Sequence, residues 1–208
     1  VTTKTTTVEQ AHVHRDDTGS KMGMWLFLFT ELILFGGMFI VYAVYRFKFP
    51  EEFQLAATEL DTLVGTVNTI ILLTSSLTVA LSITAIQNGK KYLSLLFLWM
   101  TVIFAMAFMV NKYFEWSHKF EIGLYPGSPV LLAKPAGEVL YFGLYYVMTG
   151  LHALHVVVGV VVLGIMMRFV SKGSINRDSF VRLESGGLYW HLVDIIWIFL
   201  FPLFYLIH

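Results

Sequence analysis

A lone carboxylate, Glu31, sits nine residues into an apolar run that starts at Met22 and contains no other ionisable group until Tyr42. At 1.5 Å per helical residue it lies about 14 Å deep, close to the midplane of a bilayer whose core is about 30 Å thick. A charged carboxylate there costs on the order of 3 kcal/mol, so it must be neutral or paired and must face protein. Two uses fit: a proton relay, or a hydrogen bond that ties one helix to the next. His152 and His155 are three residues apart, and Gly159 follows four later, so all three share one helical face. Haem ligation needs a second ring across the iron, and a metal needs several converging ligands, so two histidines on one stripe do not make a complete set. Neutral imidazoles linking helices fit the stripe better.

His191 and Asp194 share a face at i,i+3 near the start of the last apolar run, with Asp194 at nearly the depth of Glu31. Such a pair can orient a ligand or relay protons, and as a satisfied structural contact it needs neither use. Glu115 and His118 form Glu-x-x-His, the unit that di-iron bundles use twice together with two further glutamates. It occurs once here, at the end of a span beside Lys112 and Lys119, which favours a salt link in reach of water. Thr74, Thr78 and Ser82 repeat every four residues, a hydroxyl stripe suited to holding helices together.

The elements that must carry these groups are helices that cross a membrane. The chain of 208 residues is 57% hydrophobic and 13% charged, outside the range of ordinary globular domains. Uninterrupted apolar runs cover 22–45, 64–86, 92–110, 139–167 and 185–208, each with about the 20 residues a crossing helix needs. The expected architecture is an all-α membrane protein: a flexible polar arm over 1–20, then one five-helix domain over 21–208. The spans fall at about 22–47, 62–87, 91–116, 137–169 and 185–208. Fourteen basic and fourteen acidic residues cancel, and no Lys/Arg cluster offers a groove for nucleic acid. With no cysteine, thiolate-held metals and iron-sulfur clusters are excluded.

Five spans put the termini on opposite sides. One side carries nine Lys/Arg residues, among them the tight Lys90-Lys91 pair, and the other carries five: Arg46, Lys48, Lys112, Lys119 and Lys134. The positive-inside rule therefore predicts a cytoplasmic N-terminus and an external C-terminus. The loops 49–63 and 111–137 then lie outside, the second rich in Pro, Gly and aromatic residues and expected to fold as an interfacial cap.

Several segments in order resemble subunit III of the haem-copper respiratory oxidases, the cytochrome c oxidase and quinol oxidase family. Gly23-Met24-Trp25 leading to Thr30-Glu31 is similar to the family span that begins Gly-x-Trp and carries a mid-membrane acid. Val67-Asn68-Thr69 resembles its Leu-Asn-Thr helix, which marks Asn68 as a family position. Thr149-Gly150-Leu151-His152-Ala153-Leu154-His155-Val156 resembles Thr-Gly-x-His-x-x-His-Val, and Tyr189-Trp190-His191-Leu192-Val193-Asp194 with Trp197 resembles Tyr-Trp-His-Phe-Val-Asp-x-x-Trp. Lys112-Tyr113-Phe114-Glu115-Trp116 keeps part of a Gln-x-x-Glu-Tyr segment. The chain is similar to a five-helix bacterial form without the first two helices of longer members, the pair that closes a lipid-filled cleft.

The resemblance implies a subunit with no haem or copper of its own. It would sit beside the catalytic subunit I, with subunit II and small subunits nearby and a respiratory supercomplex as a further setting. It would bind phospholipid, steady subunit I and support proton uptake, in the inner (plasma) membrane of a bacterium. Glu31, His152, His155, His191 and Asp194 would be its proton-linked or structural polar residues, with Glu115 and Asn68 secondary. Two other functions fit the residues: a stand-alone haem b protein using His152, His155 and His191, and a small ion transporter using Glu31 and Asp194.

Overall fold

The computed structural model describes residues 17–177 and 179–207; most of the polar arm expected over 1–20 lies outside them. Seven helices follow in order: α1 (Asp17–Lys48), α2 (Pro50–Ala57), α3 (Thr62–Gln87), α4 (Lys91–Glu121), α5 (Pro129–Leu132), α6 (Ala136–Ser171) and α7 (Val181–Tyr205). Five of them, α1, α3, α4, α6 and α7, are long and apolar enough to cross a membrane, as the apolar runs predict. No strand is present among the described residues; one isolated bridge joins Asn176 and Ser179.

Helix ends follow local chemistry. Asp61 caps α3 by accepting hydrogen bonds from the backbone N–H of Leu63 (2.8 Å) and of Val64 (3.4 Å). Ser128 caps α5 in the same way, with Pro129 in its first turn. The sharp Asn88-Gly89-Lys90 turn between α3 and α4 uses Gly89 at φ +72°, a conformation that favours glycine. The loop 49–63 holds the short helix α2, and α4 runs on to Glu121, so the loop expected from 111 begins eleven residues later, at Ile122.

The five spans are not equivalent. In the most apolar stretch of α7, 56% of residues are buried inside the protein, against 11% in α1, so α7 is the central post and α1 the peripheral one. α7 packs against α6, α3 and α1, while α4 packs on α3 and α6. Pro202 lies inside α7, and the last carbonyls of that helix are met from three sides. Tyr42 of α1 donates to the Leu203 carbonyl, Tyr141 of α6 to that of Phe204 (2.6 Å) and Thr62 of α3 to that of Tyr205 (3.1 Å). Those carbonyls have no partner within a helix, so each outside hydroxyl fixes a neighbouring helix to α7 as well.

Short polar ties mark the two ends of the bundle. At one end Lys21 meets Glu184 at 3.3 Å, and the Lys91 ammonium donates to the Ser171 carbonyl at 2.7 Å. At the other, Lys119 donates to the Glu59 carbonyl and Lys134 to Glu138 at 2.7 Å.

Candidate functional site

Glu31 meets His155, 124 residues later in the chain, at 2.9 Å between Oε2 and Nε2. The other ring nitrogen, Nδ1, lies 2.7 Å from the Leu151 carbonyl one turn back on α6. A carbonyl only accepts, so Nδ1 carries a proton. Nε2 then either accepts from a neutral Glu31 carboxyl or, doubly protonated, donates to the carboxylate. Either way the pair has no net charge, which is how an ionisable group can stay in an apolar span. Both side chains are about one-seventh exposed, at 14% for Glu31 and 13% for His155, and Phe35 closes on the imidazole edge.

His152 is buried one turn away and does a different job. Its ring sits between Phe108 and Trp197, with centroids 5.6 and 5.2 Å away, and neither nitrogen has a hydrogen-bond partner among the described residues. It fills the core as an aromatic disc. Gly159 completes the stripe for a steric reason: a Cβ there would lie 2.7 Å from the Trp190 indole. The indole in turn donates to Ser75 at 3.1 Å, and Tyr189 donates to the His155 carbonyl at 3.1 Å, so the two histidine-bearing motifs are locked together.

The hydroxyls of α3 are split between two neighbours. Thr78 bonds Thr101 at 2.7 Å and Ser82 bonds Ser94 at 2.8 Å, both on α4. Thr74 instead donates to its own helix at Ile70. The side turned to α7 uses Thr69, which accepts from Trp197 at 3.0 Å, and Ser76, whose Oγ lies 2.6 Å from His191 Nδ1. Asp194 is 2% exposed, and neither of its carboxylate oxygens has a hydrogen-bond partner among the described residues. Asn68 is buried and accepts from Asn111 at 2.9 Å.

Glu115 departs most from the sequence expectation of a salt link in reach of water. Its carboxylate is enclosed, accepting from the Tyr145 hydroxyl and, at 2.5 Å, from the Tyr205 hydroxyl, with the Lys112 ammonium 3.3 Å away. Lys112 is 3% exposed; it donates to Tyr145 and Tyr205 at 3.0 and 2.8 Å and faces the rings of Tyr145, Trp197 and Tyr205. Both charges are thus paired and hydrogen-bonded inside a cage built by α4, α6 and α7. Lys112 and Lys119, assigned by sequence to an outer loop, are buried residues of α4. The helical continuation of the third span to Glu121 is the reason. Nothing in local spacing points to Tyr145 or Tyr205, which come from spans 30 and 90 residues further on.

Among the described residues no group of three or more His, Asp or Glu side chains is placed to hold a metal ion. His118 lines a cavity of about 570 Å³ with Glu59, Asp61 and Asn111, apart from the other histidines.

Comparison with known proteins agrees with this arrangement. The sequence profile of cytochrome c oxidase subunit III matches residues 2–208. The chain is 33% identical over 205 residues to cytochrome c oxidase subunit 3 of Synechocystis, covering 98% of this chain and 82% of that protein. It is 30% identical over 192 residues to the cytochrome bo(3) ubiquinol oxidase subunit 3 of Pseudomonas putida, covering 89% of this chain and 84% of that one. It is 32% identical over 193 residues to the heme-copper oxidase subunit I+III of Aeropyrum pernix, where it covers 90% of this chain and spans 22% of the longer, fused protein. A match over nearly the whole length, in a chain whose five spans are joined through these same motif residues, means that the protein belongs to the cytochrome c oxidase subunit III family.

Proposed function

We propose that the chain is the non-catalytic subunit III of a proton-pumping haem-copper terminal oxidase in a bacterial plasma membrane. Haem and copper reside in partner subunits, where oxygen is reduced to water. This subunit stabilises subunit I, binds phospholipid and supports proton uptake. The observation that carries the reading is the whole-chain family match in a molecule whose Glu31, His155, His191, Glu115 and Asn68 are engaged by neighbouring helices. The fused relative, named for subunits I and III together, supports subunit I as the immediate neighbour.

Two apolar grooves support lipid binding. One, of about 510 Å³, lies at the α2 end of the bundle between Tyr42, Phe47 and Leu203 with Arg46 beside it. The other, of about 410 Å³, lies toward the Lys91 end between Trp99, Val160 and Gly164 with Arg168. A guanidinium beside an apolar groove suits a phosphate and its acyl chain, one in each leaflet.

Burial of Lys112 and Lys119 sharpens the charge asymmetry behind the proposed cytoplasmic N-terminus. It leaves Arg46, Lys48 and Lys134 at the outer end against nine at the inner, where Lys4 and Arg15 lie outside the described residues. The direct test is purification in mild detergent. The chain should travel with a haem-bearing subunit I, and the separated, folded chain should be colourless. Stoichiometric haem in that separated chain would replace this reading with a stand-alone haem b protein.

A further inference from the structure

The cage around Glu115 lies between two openings. A carboxylate only accepts and an ammonium only donates, so the Tyr145 and Tyr205 hydroxyls both give their protons to Glu115 Oε1 and both accept from Lys112, at 3.0 and 2.8 Å. Glu115 also lines the cavity of about 570 Å³, whose rim carries exposed Glu59 and His118. Away from that cavity the rings continue outward. Tyr205 lies 6.5 Å from Tyr145, Tyr145 5.3 Å from Tyr146, and Tyr146 5.2 Å from Trp116, between ring centroids. Trp116 lines a second opening, an apolar groove of about 300 Å³ between α4 and α6, with exposed Tyr113 and Phe120 beside it. A buried carboxylate explains two phenol donors; an unbroken run of oxidisable rings from them to the surface serves no part of that task.

From this geometry we infer that Tyr145 and Tyr205 are a redox-active pair that takes up an oxidising equivalent from oxygen-centred radicals of the peroxyl class arriving at the Trp116 groove. An oxidised phenol is a strong acid and settles as a neutral radical only where a base takes its proton in the same step. Tyr145 and Tyr205 have that base in Glu115. Tyr146 and Trp116 do not, since neither the Tyr146 hydroxyl nor the Trp116 N–H has a hydrogen-bond partner among the described residues, so they pass the electron without keeping the radical. One electron leaves Tyr145 through Tyr146 and Trp116 to the peroxyl radical, which becomes a peroxide anion and takes a proton from water to give a hydroperoxide. The Tyr145 proton moves to Glu115 and on to solvent through the cavity that Glu115 lines. In sum, one peroxyl radical and one phenol become one hydroperoxide and one phenoxyl radical. The cage regains its Lys112–Glu115 ion pair, so no unpaired charge stays in the interior. Lys112 remains a hydrogen-bond donor to the phenoxyl oxygen, and Tyr205, on the same carboxylate oxygen, can exchange the radical with Tyr145.

This activity goes beyond the oxidase assignment and can fail while that assignment stands, because the test supplies the radical. The full chain, purified with its partners and placed in lipid vesicles, is exposed in air to a lipid-soluble azo initiator that releases peroxyl radicals, then frozen and read by electron paramagnetic resonance. Wild type should give an organic radical signal that narrows when the protein carries ring-deuterated tyrosine. That signal should be lost when Tyr145→Phe and Tyr205→Phe are combined. Glu115→Gln keeps a hydrogen-bond acceptor but removes the base, and should form the radical about a hundredfold more slowly, the low end of the effect of removing a positioned acid-base group. Trp116→Phe lies outside the hydrogen-bonded cage; it should also slow radical formation, and it decides the matter if the caged variants do not assemble. A wild type with no tyrosine radical overturns the proposal. So does a signal that persists in the double variant, or radical formation at the wild-type rate in Glu115→Gln or Trp116→Phe.

Discussion

The Glu31–His155 contact carries one proton between two side chains, and that fixes what substitutions do. In Glu31→Gln the side-chain amide can donate to His155 Nε2, so the link between α1 and α6 survives. We expect the complex to assemble with normal initial oxidase turnover and to lose activity sooner during sustained turnover; an assembled variant with no initial turnover would make Glu31 an obligatory proton carrier. Glu31→Lys sets a cation against His155 and should block assembly, read as loss of the subunit from the purified complex. The caged pair behaves differently. Removing one partner, as in Lys112→Met or Glu115→Leu, strands a buried charge and should cost about 3–5 kcal/mol in denaturant unfolding. The double variant should recover most of that loss, since the Tyr145 and Tyr205 hydroxyls, which share Lys112 and Glu115 as partners, are placed to satisfy one another once both are gone. Sequence made Glu31 legible because a lone acid in an apolar run stands out whatever its partner. It hid the role of Glu115, because a cage is defined by three helices and Glu-x-x-His spacing describes only one of them. Spacing led to the same expectation for both histidines, an imidazole that links helices; His155 has such a partner 124 residues away, whereas neither His152 nitrogen has a hydrogen-bond partner among the described residues.

At the scale of elements, α7 is where neighbours converge, and Gly159 lets it approach α6. Gly159→Ala puts a Cβ 2.7 Å from the Trp190 ring, whereas the same change at Gly164 meets nothing within 4 Å. The first should destabilise by about 1–3 kcal/mol in thermal unfolding, the cost typical of an overfilled core. The second should be neutral or slightly stabilising, because alanine favours the helix. Equal effects would remove close helix approach as the reason for the glycine. The number and order of spans were legible from apolar runs, since lipid demands about twenty such residues per crossing. The far end of α4 was not. α4 continues through Lys112, Glu115 and Lys119 because those charges find partners in the protein, and a rule that stops a span at its first charge cannot anticipate that. The short helix α2 also escaped, because eight residues from Pro50 on make too brief a periodic signal.

For the whole molecule, orientation rests on charge and can be read chemically, as the chain has no cysteine. Single cysteines at exposed Ala133 and at exposed Asn88 mark the two ends of the bundle. A membrane-impermeant thiol reagent applied to intact cells should label the first and miss the second; the opposite pattern reverses the topology. The cage around Lys112 imposes on the same molecule an order in time. Glu115 is synthesised 30 residues before Tyr145 and 90 before Tyr205, the two hydroxyls that close over it. At about 5–20 residues per second a ribosome needs roughly 5–20 seconds to deliver the last of them. Throughout that interval the nascent chain holds an ion pair whose enclosing wall does not yet exist. A ribosome stalled before α7 therefore leaves a product that insertion and surveillance machinery can distinguish from a finished one by its uncovered charges.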